Sequence, residues 1–308
     1  MRHFLKYCCV FFSILLAMGI ILEISARHVP NPVLAKRMLI EEHGAGMKTI
    51  IIGPSVAQEG VNPALLGDSV YNLAIDGQRP IFNILQFTTH YKKMTSLRNV
   101  IYVIYPEMYW EAVDNDRPYI RVQTMNHRLY MGLDVGGGLR TGSEVLSDAQ
   151  TAISKCIKGY LSSRPTVYTD SLGFIHRHSL DIRGKELRHR VDAQSRQHPA
   201  SEESRREFSR HADMLDSLAS LCCSEDIKLY LVLPPVHRSL LTGIDSLQFA
   251  LMDKLIHNMD ERHDCVKAIN YAGDSRFDND NFFWDAVHLT NDSGAAALSS
   301  ALRTDLGL

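Results

Sequence analysis

Five short apolar runs constrain what this chain can fold into. They are "MKTIIIG", "DSVYNLA", "NVIYVIYP", "IKLYLVLPP" and "CVKAIN", each rich in β-branched residues and most stopped by Gly, Pro or Asn. The first two predict strands over Thr49–Gly53 and Val70–Leu73. Stretches with helical spacing lie between the runs. In "PIFNILQFTTHYKKM", Ile81, Ile84, Leu85 and Thr88 share a face; in "EESRREFSRHADMLDSLASLCCSED", Phe208, Ala212, Leu215, Ala219 and Cys222 form one stripe. "SLQFALMDKLIHNM" and "DSGAAALSSALRTDL" complete the alternation. Strands covered on both faces read as solid apolar runs, whereas half-exposed ones alternate with polar residues. The pattern therefore predicts an α/β fold, a three-layer sandwich with a central parallel sheet.

The N-terminus sets a second constraint. After Arg2 and Lys6, the chain is apolar from Tyr7 to Leu22 and meets its next charge at Glu23. Such a basic start followed by an apolar run suits a signal-anchor or transmembrane helix over residues 1–27, with a short inside tail and an outside domain. A cleaved signal peptide is the competing reading, but the small-residue cleavage pattern around Ser25 and Ala26 is poor. Residues 28–47, with Pro30 and Pro32, read as a linker, and residues 48–308 as the α/β domain. Within it, residues 107–200 carry Gly136-Gly137-Gly138, many Arg and Ser, and no strand–helix alternation. This region reads as an insertion or cap over the carboxyl edge of the sheet.

Charge and cysteine content exclude some classes. Lys and Arg total 33 against 35 Asp and Glu, so no global positive field exists to hold nucleic acid. The 14 histidines are scattered, and the repeat His176-Arg-His178 lacks the companion ligands of a metal site. Neither metal nor cofactor is expected. Of six cysteines, Cys8 and Cys9 fall in the apolar helix and Cys222-Cys223 are adjacent, so spacing gives no disulfide framework.

In an open parallel sheet, ligands bind beyond the carboxyl ends of the strands. Ser55 stands there, directly after the first strand in "IIIGPSVAQEG", as either a nucleophile beside turn N–H groups or a helix N-cap. Asn72 ends the second strand, and Gly77 lies in the turn beyond, where its N–H could face an oxyanion. Asp285 and His288 fall between the fifth strand and the closing helix, a spacing that lets a carboxylate orient an imidazole. His237 in "LVLPPVHRS", together with Glu107 and Tyr109 in "VIYPEMYW", lies on the same edge as either a substrate contact or a strand cap.

Taken together, Gly53-Pro54-Ser55, Asn72…Gly77 and Asp285-Ala-Val-His288-Leu-Thr…Gly294-Ala resemble the SGNH (GDSL-like) hydrolase superfamily, over about residues 48–105 and 226–305. More narrowly, they resemble its membrane-anchored bacterial branch, which includes alginate O-acetylation and teichoic-acid D-alanyl transfer proteins. The resemblance implies Ser55 as nucleophile, His288 as general base and then acid, Asp285 as its orienter, and the Ser55 and Gly77 N–H groups as oxyanion donors. It further implies a bacterial inner-membrane protein with its domain outside, acting on an acylated glycan or cell-surface polysaccharide. A separate reading makes residues 107–200 a docking surface for a multi-span acyl-donor membrane protein. One departure stands out. The family's Gly-x-Asn-Asp block after the third strand is replaced here by Tyr105-Pro106-Glu107, so either Asn72 or the Tyr105 hydroxyl supplies the third oxyanion donor or the protein is slow or inactive. A non-catalytic glycan-binding or scaffold component of a surface-polymer assembly complex is the alternative.

Overall fold

A computed structural model describes residues 1–112, 117–136, 138–161, 167–177, 201–241 and 246–308. Along the chain run α1 (Arg2–His28), α2 (Pro32–His43), β1 (Thr49–Ile52), α3 (Ser55–Gly60), β2 (Val70–Asn72), α4 (Pro80–His90) and β3 (Asn99–Val103). Next come α5 (Pro118–Asn126), α6 (Glu144–Leu161), the hairpin β4 (Val167–Thr169) and β5 (Ile175–Arg177), and α7 (Glu202–Ser224). The last elements are β6 (Lys228–Leu233), α8 (Arg238–Leu241), α9 (Ser246–Arg262), β7 (Val266–Asn270) and α10 (Ser293–Leu306).

The central sheet is five-stranded, in the order β2-β1-β3-β6-β7, and every pairing in it is parallel. All four residues of β1 are buried, as are Val100 to Val103 of β3 and Leu229 to Leu233 of β6. The solid apolar runs thus become strands covered on both faces, as their composition predicts. Strand order reverses between β1 and β3, because the chain goes from β1 outward to β2 and returns to the other side of β1 with β3. The loops leaving β1 and β3 splay apart at such a point and open a crevice at the carboxyl edge.

Two compact units are present. One comprises residues 1–35 and 113–165; the other, which holds the whole parallel sheet, comprises 36–112 and 166–308. The stretch from 107 to 200 is accordingly divided between them, and its residues 178–200, His178 included, lie outside the described residues, as does Gly137. In the first unit, α1 is the one helix among the described residues long and apolar enough to cross a membrane.

Two local outcomes differ from the sequence expectation. The linker expected over 28–47 is largely the helix α2. Pro32 sits in its first turn, and the Asn31 side chain accepts from the Val33 and Leu34 N–H groups at 2.8 and 3.3 Å. Proline there starts a helix instead of breaking one. Cys223, at the end of α7, forms a disulfide with Cys265, just before β7, with a Cα–Cα distance of 5.3 Å. Its neighbour Cys222 is a buried free thiol on the α7 stripe.

Buried polar groups brace the sheet unit. Lys36 of α2 is fully buried, and its ammonium donates to the carbonyls of Asn72 (2.6 Å) and Gly173. Gly173 lies in the β4–β5 turn at φ +87°, and a Cβ there would stand 2.1 Å from the Asn72 carbonyl oxygen, so only glycine fits. Burial pushes the Lys36 ammonium down to about 7, partly opposed by the Asp170 carboxylate.

Candidate active site

Ser55 is the first residue of α3, immediately beyond β1. Gly53 makes the turn possible: it adopts φ +145°, and a Cβ there would meet the Val103 carbonyl oxygen at 2.5 Å and the Ala57 Cβ at 2.9 Å. The N-cap position belongs to Pro54, so the Ser55 hydroxyl is not used to cap its own helix. Its Oγ instead lies 2.8 Å from Nε2 of His288, 233 positions away in sequence.

His288 is presented by a tight loop. Phe283 and Leu289 form an antiparallel bridge, the Trp284 N–H donates to the His288 carbonyl at 3.1 Å, and the Thr290 N–H donates to that of Phe282 at 2.8 Å. Gly294, at the start of α10, lets the loop close, since a Cβ there would stand 2.2 Å from the Phe282 carbonyl oxygen. Asp285, buried at the tip, uses one carboxylate oxygen to accept from the Val287 and His288 N–H groups at 2.8 and 2.7 Å. Its other oxygen is 2.8 Å from His288 Nδ1. Trp284 stacks on the imidazole with ring centroids 5.0 Å apart and planes at 24°. The result is an unbroken hydroxyl–imidazole–carboxylate relay.

Electrostatics reinforce that order. Burial disfavours the Asp285 carboxylate, but its hydrogen bond and attraction to His288, with two backbone N–H groups, outweigh burial and hold the carboxyl below its ordinary value. Burial likewise disfavours the His288 imidazolium, but Asp285 outweighs it, helped by Glu59 and Asp76, and the imidazole lies above its ordinary value. Glu59 and Asp76 were not foreseen. The first could have been, because it lies one helical turn after Ser55 on the same face of α3.

The remaining candidates fall into two groups. Gly77 adopts φ +64° in the turn from Ile75 to Gln78, closed by the Gln78 N–H to the Ile75 carbonyl at 3.1 Å. The Ile75 N–H donates to the Gly53 carbonyl at 3.1 Å, which stitches this turn to the one carrying Ser55. Tyr105, half-buried beyond β3, hydrogen-bonds Glu107; burial and then Glu107 raise its phenol well above the ordinary value, with Asp285 among the more distant contributors. Tyr105 therefore keeps its proton at any physiological pH.

Asn72, His237 and Tyr109 have other tasks. The amide of Asn72 donates to the Ala57 and Val61 carbonyls at 2.9 and 2.8 Å and its oxygen accepts from the Ala74 N–H, so no amide hydrogen is left for an oxyanion. It holds the carboxyl end of α3. His237 is buried with both ring nitrogens engaged, Nδ1 accepting from the Ser239 N–H at 3.3 Å and Nε2 donating to Asp280 at 3.2 Å. Its own N–H donates to the Ala286 carbonyl at 2.9 Å, so it positions the Asp285–His288 loop and has no ring edge for substrate. Tyr109 is fully buried, its hydroxyl 3.4 Å from that of Tyr102 and its carbonyl 2.9 Å from His211 Nδ1. It is a core residue. Among the described residues, no cluster of His, Cys, Asp and Glu could hold a metal ion.

No protein-family model and no curated protein sequence matches the chain. Among solved structures, it is similar to a Streptococcus pneumonia protein provisionally assigned as a platelet activating factor, with 10% identity and a TM-score of 0.45 over 97% of this chain and 99% of that one. It is also similar to a Bacteroides fragilis NCTC 9343 protein provisionally assigned as an acylhydrolase, with 11% identity and a TM-score of 0.43 over 87% of this chain and 95% of that one. Likeness this weak carries nothing about chemistry. What the site can do rests on the geometry of Ser55, His288 and Asp285.

Proposed function

We infer that the protein is a serine-dependent acyl ester hydrolase or O-acyltransferase of the SGNH type. The observation that carries this reading is the relay from Ser55 Oγ through His288 to Asp285, each step 2.8 Å long. In the reaction, Ser55 Oγ bonds to the acyl carbonyl carbon while its proton passes to His288 Nε2. Asp285 holds the imidazole with Nδ1 protonated and stabilises the cation that forms. The oxyanion develops toward the Ser55 N–H, at the start of α3, and the Gly77 N–H of the neighbouring turn. Collapse breaks the ester bond, and His288 returns the proton to the departing alcohol oxygen. Water or a sugar hydroxyl then attacks the acyl-Ser55 carbonyl while His288 takes its proton; collapse breaks the bond to Ser55 Oγ, which recovers its proton from His288 as the acid or new ester leaves.

The proposed substrate is an acylated, most simply acetylated, polysaccharide outside the bacterial inner membrane, with α1 as the anchor. The Cys223–Cys265 disulfide supports the extracytoplasmic side, since such bonds persist in oxidising compartments. The test is hydrolysis of p-nitrophenyl acetate together with covalent labelling by a fluorophosphonate. Ser55→Ala and His288→Ala should each abolish both while leaving thermal unfolding unchanged. A well-folded wild-type chain that never labels at Ser55 would leave only the scaffold reading, which the missing Asn block after β3 favours.

A further inference from the structure

In the unit formed by residues 1–35 and 113–165, α6 carries apolar side chains on its open side. Ile153, Ile157, Tyr160 and Leu161 follow helical spacing on one stripe, and they are 46, 53, 58 and 80% exposed. The opposite face is the packed one. Ala152 is fully buried there, and a Cβ on Gly159 would meet Val29 at 2.6 Å, so the helix lies hard against the chain leaving α1. Lys155 points inward to pair with the buried Glu144. An amphipathic helix of a water-soluble unit buries its apolar face; here the small residues are inside and the large apolar ones outside.

The place of that stripe is set by its fastenings to α1. Glu23 accepts from the Ser143 hydroxyl at 2.7 Å and from the Glu144 and Val145 N–H groups at 3.2 and 3.0 Å, gripping the first turn of α6, which a kink at Asp148 (φ −162°, ψ 99°) separates from the part that carries the stripe. Arg27 bonds Glu23 at 2.6 Å and the Gly142 carbonyl at 3.1 Å, and the Tyr160 hydroxyl donates to the Ser25 carbonyl at 3.0 Å. These partners all follow the apolar run that ends at Leu22. They are the residues of α1 that emerge from hydrocarbon into the headgroup layer, where charged groups and tyrosine are at home.

We propose that α6 is a second membrane-contacting element, an interfacial helix whose Ile153, Ile157, Tyr160 and Leu161 bed into the boundary of the same bilayer that α1 crosses. The occupant of this surface is lipid, because α6 is tied to the membrane helix at its point of exit. The inference rests on α1 spanning the membrane.

The full-length chain, reconstituted in phosphatidylethanolamine/phosphatidylglycerol vesicles doped with a diazirine lipid, should take lipid adducts in both α1 and α6, mapped by mass spectrometry. Ile153→Asn combined with Ile157→Asn should reduce adducts in α6 by at least about fivefold. Labelling of α1 should be unchanged, and so should thermal unfolding, because both side chains are exposed. Adducts confined to α1, or undiminished in the double variant, overturn the inference and leave the anchor standing. Adducts in neither helix, or in α6 alone, remove the anchor reading and this inference with it. A concentration-dependent dimer dissolved by the double variant would make the stripe a self-association surface, and would also overturn it.

Discussion

Replacing Asp285 by Asn tests the relay with the least disturbance of its scaffold. The Asn oxygen can still accept from the Val287 and His288 N–H groups, so the loop keeps its shape. What changes is the atom 2.8 Å from His288 Nδ1, which becomes an amide NH2. A donor there makes Nδ1 an acceptor and moves the imidazole proton to Nε2, facing Ser55 Oγ. The base then has no lone pair for the serine proton. A tautomer error of this kind lowers turnover by roughly ten-thousandfold, or about 5 kcal/mol of transition-state stabilisation. The assay is the second-order rate of Ser55 phosphonylation by a fluorophosphonate as a function of pH, which needs no knowledge of the natural acyl acceptor. In the wild type the rate should rise with pH through the raised His288 value, so its midpoint lies above 6.5. In Asp285→Asn the main upward influence is gone, burial remains, and the midpoint moves toward acid. A variant that labels within about tenfold of wild type, with its midpoint unmoved, would refute the relay.

Four further outcomes are expected. Stability should reflect the same pair: His288, raised, adds stability below its unfolded value that is lost as pH rises through the folded one, and Asp285, lowered, adds stability above its unfolded value that is lost as pH falls through the folded one. The contribution of the pair is therefore greatest between about pH 4 and 6.5, and urea unfolding of wild type against Asp285→Asn should show it there. Gly53→Ala, forced into a φ that only glycine adopts easily and against the Val103 carbonyl, should cost about 2–4 kcal/mol in urea unfolding and slow fluorophosphonate labelling. Cys223→Ser with Cys265→Ser opens a loop of 42 residues and should cost about 2–4 kcal/mol, read in the same way with and without reductant. Lys36→Met removes the donor to two buried carbonyls and should cost about 1–3 kcal/mol near pH 9. Because the folded lysine sits at about 7 against an ordinary 10.5, its charging penalty is complete below pH 7 and fades toward 10.5, so wild-type stability should climb across that window while the variant stays flat.

The parallel sheet was legible because burial on both faces leaves a plain trace, a solid run of β-branched residues. The Asp285–His288 pair was legible because its geometry is local, two side chains in one turn. Ser55 was legible only jointly with them. Asn72 and His237 were harder, since a polar residue at a strand end looks alike whether it faces substrate or holds backbone groups in place. Only the partners of their nitrogens decide. The disulfide had a faint signal: Cys222 belongs to the apolar stripe of α7, so Cys223 had to face elsewhere, but nothing local said it would meet Cys265. The helix α2 was hidden by Pro30 and Pro32, which read as linker residues although Pro32 opens a helix. The exposed apolar stripe of α6 looked irregular because its packed face is made of small residues instead of large ones.

The His237 N–H holds the Ala286 carbonyl, which fastens the loop carrying Asp285 and His288 to the stretch leaving β6. On the proposed mechanism the hydroxyl and its base stand 233 positions apart in sequence, and what joins them is the return of the loop after β7 to the edge where β1 ends. On that mechanism, a chain lacking the final loop would carry a serine with nothing to deprotonate it. Reactivity toward an electrophilic probe thus doubles as a readout of completed assembly.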